Sequence, residues 1–254
     1  MKRTDKKPKV TVYLAGDSTV ADCPPHEAPM AGWGQMLPLF FSDEAAVVNM
    51  AKGGASSNSF IDEGRLDDMT DRLAPDDYVL IQFGHNDQKP YGTDPYTTYQ
   101  EHLVRYVEAV REKQATPVLI TSAERRRFDQ NGKPADTLGD FPKAMKALAG
   151  SFEVPLIDLW SKTKALYESL GIEGSKRLFV HFQPLEHPHY PNGIEDNTHF
   201  SEAGARQVAR LVTEGIRELG LPLAAYLHCE RRDFRAGVSC KRRKTDVSKP
   251  FIIS

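Results

Sequence analysis

A serine lies directly behind a short apolar run near the start of the chain, in a position suited to nucleophilic chemistry. The run "VTVYLA" (10–15) predicts a buried strand, and Gly-Asp-Ser (16–18) follows it. A nucleophilic Ser18 requires a base that takes its proton. Near the other end of the chain, Asp196 and His199 lie three residues apart in "DNTH". His199 is the candidate base, and Asp196 is the candidate group that holds its second ring nitrogen.

Two further polar loops offer donors for the negative charge that develops when an acyl carbon is attacked. "KGGASSNS" (52–59) and "GHND" (84–87) each follow an apolar run. The backbone N–H groups of Ser18 and Gly54 and the side-chain amide of Asn86 are the candidate oxyanion-hole donors. Each motif alone is more often a turn or a cap. Because all of them occur in order and at strand ends, together they favour acyl transfer.

Five short apolar runs position these loops. They are not alternating, as expected for strands buried on both faces of a parallel sheet: 10–15, 45–51, 77–83, 116–122 and 154–159. Segments with helical periodicity lie between and after them, among them 94–114 and 201–219. This alternation predicts a doubly wound α/β fold. In such a sheet, ligands bind beyond the carboxyl ends of the strands, so all four polar motifs are expected on one rim.

Two long connections are predicted at 122–140 and 172–200, and the second suggests a rival chemistry. Clustered histidines and acids can bind zinc, and the candidates are His181, Glu186, His187, His189, Glu195, Asp196 and His199. Their spacing matches no common ligand motif. We therefore expect no metal and no cofactor, and interpret this segment as a polar, aromatic-lined wall beside the rim.

Composition and charge narrow the class of protein. The chain has 254 residues and a net charge of −2, yet residues 228–254 hold eight lysines and arginines against three acids. We expect one catalytic domain over 1–227 and a basic tail over 228–254. Residues 1–227 are therefore acidic overall, and a domain of this charge argues against nucleic acid as a partner. No apolar stretch approaches the roughly 20 residues that span a bilayer, so no membrane partner is expected.

The number and spacing of the cysteines indicate the cellular compartment of the protein. There are three of them, without the spacing of a disulfide framework, which favours reduced thiols and a cytoplasmic protein. A secreted mature form is the alternative. The oligomeric state is left open by the sequence.

The motifs resemble those of the SGNH (GDSL-type) hydrolases over residues 9 to 227. "YLAGDSTVAD", "AGWGQML", "AKGGASSNSF", "FGHNDQKP" and "EDNTHFSEAGA" are similar to the rhamnogalacturonan acetylesterase branch, especially its bacterial members. The resemblance implies a three-layer α/β/α sandwich of flavodoxin type with about five parallel strands. It also implies a metal-free serine esterase acting on acetylated pectic oligosaccharides. By position, Ser18 is the nucleophile, His199 the base with Asp196 behind it, and Gly54 and Asn86 complete the oxyanion hole.

Substrate contacts are less defined by the sequence. Trp33 is a candidate for stacking on a sugar ring, with core packing as its alternative. His85 is a candidate contact or a loop residue. Arg125 is the candidate partner of a sugar carboxylate, although the run 125–127 also fits a solvated surface.

Two other functions stay open at this point. The same chemistry on the same fold also serves other esters, such as acetyl-xylan, lipids or thioesters. A non-catalytic carbohydrate-binding module is disfavoured, because every group of the catalytic set is present.

Overall fold

The predicted strands form one parallel sheet in the computed structural model of the protein, which describes residues 8–90 and 92–228. The strands are β1 (Val10–Gly16), β2 (Ala45–Asn49), β3 (Tyr78–Gln82), β4 (Thr116–Ile120) and β5 (Leu156–Ile157). Their order across the sheet is β2-β1-β3-β4-β5, and every neighbouring pair is parallel. This is the flavodoxin-like order, so the predicted fold class is confirmed.

Helices cover both faces of the sheet, because the strands are apolar on both sides. In β1, Val12 and Leu14 belong to one core cluster, and Tyr13 and Ala15 belong to the other. The first face carries α1 (Trp33–Met36), α6 (Leu159–Ser175) and α7 (Glu202–Glu218). The second carries α2 (Ser57–Asp62), α3 (Arg65–Thr70), α4 (Thr98–Glu112) and α5 (Phe141–Ser151). The result is the expected three-layer sandwich.

The segment 172–200 is not a long connection, and that expectation was wrong. It contains the end of α6 and two antiparallel strands, β6 (Phe179–Phe182) and β7 (Ile194–Phe200). Asp196 and His199 therefore lie within a strand. Between β6 and β7, three prolines and a glycine mark the loop 183–193, which made the whole stretch look irregular in the sequence.

The expected basic tail, 228–254, lies outside the described residues except for His228. Within the described ranges, no helix combines the length and the apolar character that crossing a membrane requires.

Candidate active site

Ser18 lies in a tight turn that begins where β1 ends. The Asp17 carbonyl accepts hydrogen bonds from the backbone N–H groups of Val20 and Ala21, at 3.1 and 3.0 Å. The Asp17 side chain is fully buried, whereas Ser18 is partly exposed. The turn thus presents the serine hydroxyl at the carboxyl edge of the sheet. It lies at the carboxyl end of β1, next to β3, and ligands bind beyond this end of the strands in this topology.

A chain of two hydrogen bonds joins Ser18, His199 and Asp196. His199 Nε2 lies 2.9 Å from Ser18 Oγ, and His199 Nδ1 lies 2.7 Å from Asp196 Oδ2. The other carboxylate oxygen, Asp196 Oδ1, accepts the backbone N–H groups of Thr198 and His199 at 2.7 and 2.8 Å. The carboxylate is therefore fixed by its own strand, and it orients the imidazole toward the serine. This is the arrangement of a nucleophile, a general base and an orienting acid.

The electrostatics of the pair suit proton transfer. The hydrogen bond to Asp196 raises the pKa of His199, against the opposing effect of burial. Burial acts to raise the pKa of Asp196, but the hydrogen bonds and charge of His199 outweigh it, so the pKa lies below its usual range. Asp196 is thus ionised, and it stabilises the imidazolium that forms when His199 takes a proton.

The two loops with predicted oxyanion donors meet at the same edge. The Asn86 amide donates to the Ala55 carbonyl at 2.9 Å, which ties the loop after β3 to the loop after β2. Gly54 has a φ of +79°, a left-handed conformation that glycine adopts readily. A Cβ on the preceding Gly53 would lie 3.9 Å from the Cβ of Ser18, so this loop borders the nucleophile.

A buried polar network supports the nucleophile turn from below. Asp17 Oδ1 accepts the backbone N–H and the hydroxyl of Thr19, at 2.9 and 2.8 Å. The Gln82 amide donates to the Thr19 hydroxyl at 2.7 Å, and Trp33 Nε1 donates to Gln82 Oε1 at 2.9 Å. Trp33 is fully buried, so it has no face on which a sugar ring could stack. The expected sugar contact at Trp33 was wrong, because its indole is part of this network.

His85 is likewise turned inward. The residue is only 4% exposed, and its Nδ1 lies 3.3 Å from Asp17 Oδ2. Burial acts to raise the pKa of Asp17, but His85 and the hydrogen bonds from Thr19 outweigh it and lower the pKa. The expected substrate contact at His85 was therefore wrong: the imidazole pairs with the carboxylate beneath Ser18.

The segment 32–34 packs closely against the backbone of the turn that carries Ser18, and this contact was not predicted from the sequence. The backbone N–H groups of Trp33 and Gly34 donate to the carbonyls of Thr19 and Val20 at 2.8 and 3.1 Å. A Cβ on Gly34 would lie 2.4 Å from the Val20 oxygen, so only glycine fits there. The signal was present as two glycines flanking a tryptophan in "GWG" (32–34).

A cleft of about 530 Å³ opens in front of the serine. Besides the three catalytic candidates, its lining includes Cys23, Glu27, Met30 and Tyr190. The Tyr190 hydroxyl donates to the Glu27 carbonyl, and so joins the loop 183–193 to the opposite wall. No lysine or arginine is among the lining residues in the described part of the chain. The charged residues in the lining are the acids Asp22, Glu27 and Asp196, together with the imidazole of His199.

The alternative metal site depends on the geometry of its candidate ligands. In residues 8–90 and 92–228, no three histidine, cysteine or acidic side chains are grouped so that they could hold an ion. His181 Nε2 instead lies 3.1 Å from Asn197 Oδ1, and His187 stacks on Phe182 with ring centroids 4.7 Å apart. His189 Nδ1 lies 2.8 Å from the Ala28 carbonyl oxygen. Of the aromatic residues in this segment, Tyr190 lines the cleft, and its ring stacks on Phe182 with centroids 5.7 Å apart.

The arginine run divides by environment. Arg125 is half-buried, Arg126 is buried and Arg127 is exposed. Arg125 donates to backbone and side-chain groups of neighbouring loops, and it is not among the cleft-lining residues. Its predicted contact with a substrate carboxylate stays a prediction, while its observed partners belong to the protein.

The fold and this site define an SGNH-type hydrolase, and the comparison with known families agrees. A family described as GDSL-like lipase/acylhydrolase matches residues 14–207, and the chain belongs to that family. It is accordingly a carboxylic ester hydrolase.

Individual relatives are more specific. The chain is 63% identical over 222 residues to "Rhamnogalacturonan acetylesterase RhgT" of Bacillus subtilis (strain 168), covering 87% of this chain and 95% of that protein. It is 41% identical over 224 residues to "Probable rhamnogalacturonan acetylesterase YesY" of the same organism, covering 87% and 98%. Among solved structures, protein YxiM of Bacillus subtilis superposes with a TM-score of 0.74 at 29% identity, covering 87% of this chain and 60% of that one.

Proposed function

We propose that this protein is a serine esterase that removes acetyl groups from rhamnogalacturonan oligosaccharides through an acyl-enzyme. The observation that carries the chemistry is the chain of contacts of 2.9 and 2.7 Å from Ser18 through His199 to Asp196. The substrate rests on the 63% identity to RhgT, whose name states that activity.

In the first half of the reaction, His199 Nε2 takes the proton of Ser18 as Oγ attacks the ester carbonyl carbon. The resulting oxyanion lies between the donors proposed for it, which are the N–H groups of Ser18 and Gly54 and the amide of Asn86. His199 then gives the proton to the sugar oxygen, which leaves as the alcohol, and Ser18 keeps the acetyl group.

In the second half, His199 takes a proton from water, which attacks the acetyl-serine. Collapse of this second tetrahedral intermediate releases acetate and returns the proton to Ser18. Asp196 stays ionised throughout, and it holds the imidazole with Nδ1 as the protonated nitrogen.

We also propose a cytoplasmic location, because the odd cysteine count gives no disulfide framework. Cys23 is a free thiol, and burial raises its pKa to about 11, so it stays protonated beside the cleft. A cytoplasmic enzyme meets imported oligosaccharides, and short chains are therefore the proposed substrates.

The test measures acetate release from acetylated rhamnogalacturonan oligosaccharides, acetylated xylan oligomers and p-nitrophenyl acetate. Each is run with wild type, Ser18→Ala and the control Ser169→Ala, which changes an exposed serine in α6. We expect a Ser18-dependent rate that is highest on rhamnogalacturonan and unaffected by EDTA. Equal activity of Ser18→Ala and wild type would reject the mechanism, and a higher rate on xylan would reject the substrate.

A further inference from the structure

The segment that follows β4 contacts both the loop after β3, which carries the proposed oxyanion donor, and β7, which carries the acid–base pair. Its adjacent arginines contact these elements separately: Arg125 contacts the loop after β3, and Arg126 contacts β7. Neither lines the cleft. Since arginine presents several N–H donors in a rigid planar fork, a buried arginine can fix several acceptors at once.

Arg125 holds the loop after β3. One terminal nitrogen donates to the His85 carbonyl at 3.4 Å, and the other donates to the Thr137 carbonyl at 3.3 Å. With its amide oxygen turned toward the guanidinium, Gln88 accepts a further hydrogen bond at 2.8 Å. The anchors at 85 and 88 lie on either side of Asn86. Burial lowers the pKa of Arg125, and the charges of Glu124 and Asp17 oppose that effect.

Arg126 holds the strand with the acid–base pair. Its backbone N–H donates to the Asn197 carbonyl at 2.8 Å, and its side chain donates to Asn197 Oδ1, also at 2.8 Å. Further bonds reach the Ser175 hydroxyl and the Ile172 carbonyl at the end of α6. The residue itself is 8% exposed. Asn197 lies between Asp196 and His199 in the chain, so Arg126 fixes the stretch that presents both groups to Ser18.

We propose that Arg125 and Arg126 are positioning residues, one for the oxyanion donor Asn86 and the other for the Asp196–His199 pair, an assignment that rests on the proposed serine-esterase function. Two neighbouring residues of one segment thus set the distance between the loop after β3 and β7, whose side chains must act on the same carbonyl. A misplacement of about 1 Å in such a site costs on the order of 10²-fold in rate.

The test replaces each arginine by lysine, which keeps the charge and removes the fork. Arg127→Lys is the matched control, because Arg127 is the exposed member of the run. The assays use neutral p-nitrophenyl acetate and the acidic acetylated oligosaccharide. We expect Arg125→Lys and Arg126→Lys to lower kcat by about 10- to 10²-fold, equally on both substrates and with KM nearly unchanged. Arg127→Lys should keep the wild-type kcat on p-nitrophenyl acetate.

Double-mutant cycles separate positioning from a general loss of structure. In an Asn86→Ala background, Arg125→Lys should change kcat by less than about twofold, because it acts through Asn86. In an Asn197→Ala background, Arg126→Lys should lose its effect in the same way. If Arg126→Lys does not fold, Asn197→Ala alone removes the same side-chain bond from the other partner, and kcat should still fall.

Three results would overturn the proposal. A wild-type kcat in either lysine variant rejects the positioning role of that arginine. A rise in KM on the acidic oligosaccharide alone makes the residue a substrate contact. Additive losses in the cycles mean that the arginines act elsewhere. Failure of the proposed function is distinct, because it shows as wild-type p-nitrophenyl acetate hydrolysis that does not depend on Ser18.

Discussion

Replacing Asp196 by asparagine is the most informative change to the acid–base pair, because it removes one of three hydrogen bonds and leaves the other two. Asp196 Oδ1 accepts two backbone N–H groups, and the asparagine oxygen can keep both. The new amide nitrogen then faces His199 Nδ1, where the carboxylate oxygen lay at 2.7 Å. An amide N–H can only donate, so Nδ1 must become the acceptor and Nε2 must carry the proton. In that tautomer His199 cannot take the proton of Ser18.

The expected loss follows from this inversion. In a serine–histidine–aspartate site, the wrong tautomer lowers kcat by about 10⁴-fold, which is about 5.5 kcal/mol of transition-state stabilisation. Folding should be nearly unaffected, because the two bonds to the backbone remain. Asp196→Ala loses those as well, at about 1 kcal/mol of unfolding free energy for each bond.

The pH profile supplies a second readout of the same change. His199 acts as a base only when neutral, and Asp196 raises its pKa, so wild-type kcat/KM falls as the pH drops through that raised value. Without the negative charge, the pKa moves back toward or below the ordinary value of about 6.5, and the acid limb shifts to lower pH.

The assay is the hydrolysis of p-nitrophenyl acetate across pH, with unfolding curves for each variant. Glu195→Gln is the matched control, since Glu195 is the exposed neighbour in β7. A kcat for Asp196→Asn within tenfold of wild type, or an acid limb that stays in place, would refute the reasoning.

Three further outcomes are expected. Asn86→Ala removes one oxyanion donor and should lower kcat by about 10²- to 10³-fold, measured on p-nitrophenyl acetate; an unchanged kcat would exclude it from the oxyanion hole. Gly34→Ala puts a Cβ 2.4 Å from a backbone oxygen of the nucleophile turn, so both kcat and melting temperature should fall, whereas Gly150→Ala in α5 meets no atom within 4 Å and should not destabilise. Trp33→Phe leaves Gln82 Oε1 without its buried donor and should cost about 1–3 kcal/mol in chemical denaturation, and a smaller loss would mean that water replaces the indole.

Much of the fold was predictable because the strands of a buried parallel sheet carry a strong local signal. The runs at 45–51 and 116–122 include β2 and β4, with excess residues only at their carboxyl ends. The hairpin of β6 and β7 was not predictable in this way. β6 has only four residues, β7 is mostly polar, and a loop with three prolines separates them. What fixes the hairpin is contact with distant segments. The Ala31 N–H donates to the Phe200 carbonyl at 3.0 Å, and no local pattern reports that contact.

In the candidate site, too, some residues were predictable from local sequence and others depend on distant contacts. Ser18, Asn86 and His199 were predicted because their motifs occur together and in order, although each motif alone is more often a turn or a cap. The surroundings of Trp33 and Arg125 were not, because an aromatic ring or a guanidinium has the same sequence signal whether it meets substrate or protein. Burial decides between the two, and burial depends on residues far away in the chain.

The separation of Ser18 and His199 by 181 positions has a consequence for how the protein becomes active. The sheet fixes the serine, whereas the base arrives on a hairpin that is not hydrogen-bonded into that sheet. A refolding intermediate with its sheet complete but its hairpin undocked has no base beside the nucleophile. The return of hydrolysis after dilution from denaturant therefore times the docking of the hairpin. In a Trp160→Phe background, fluorescence of the buried Trp33 times the closure of the core around β1. The lag between the two signals measures the final assembly step.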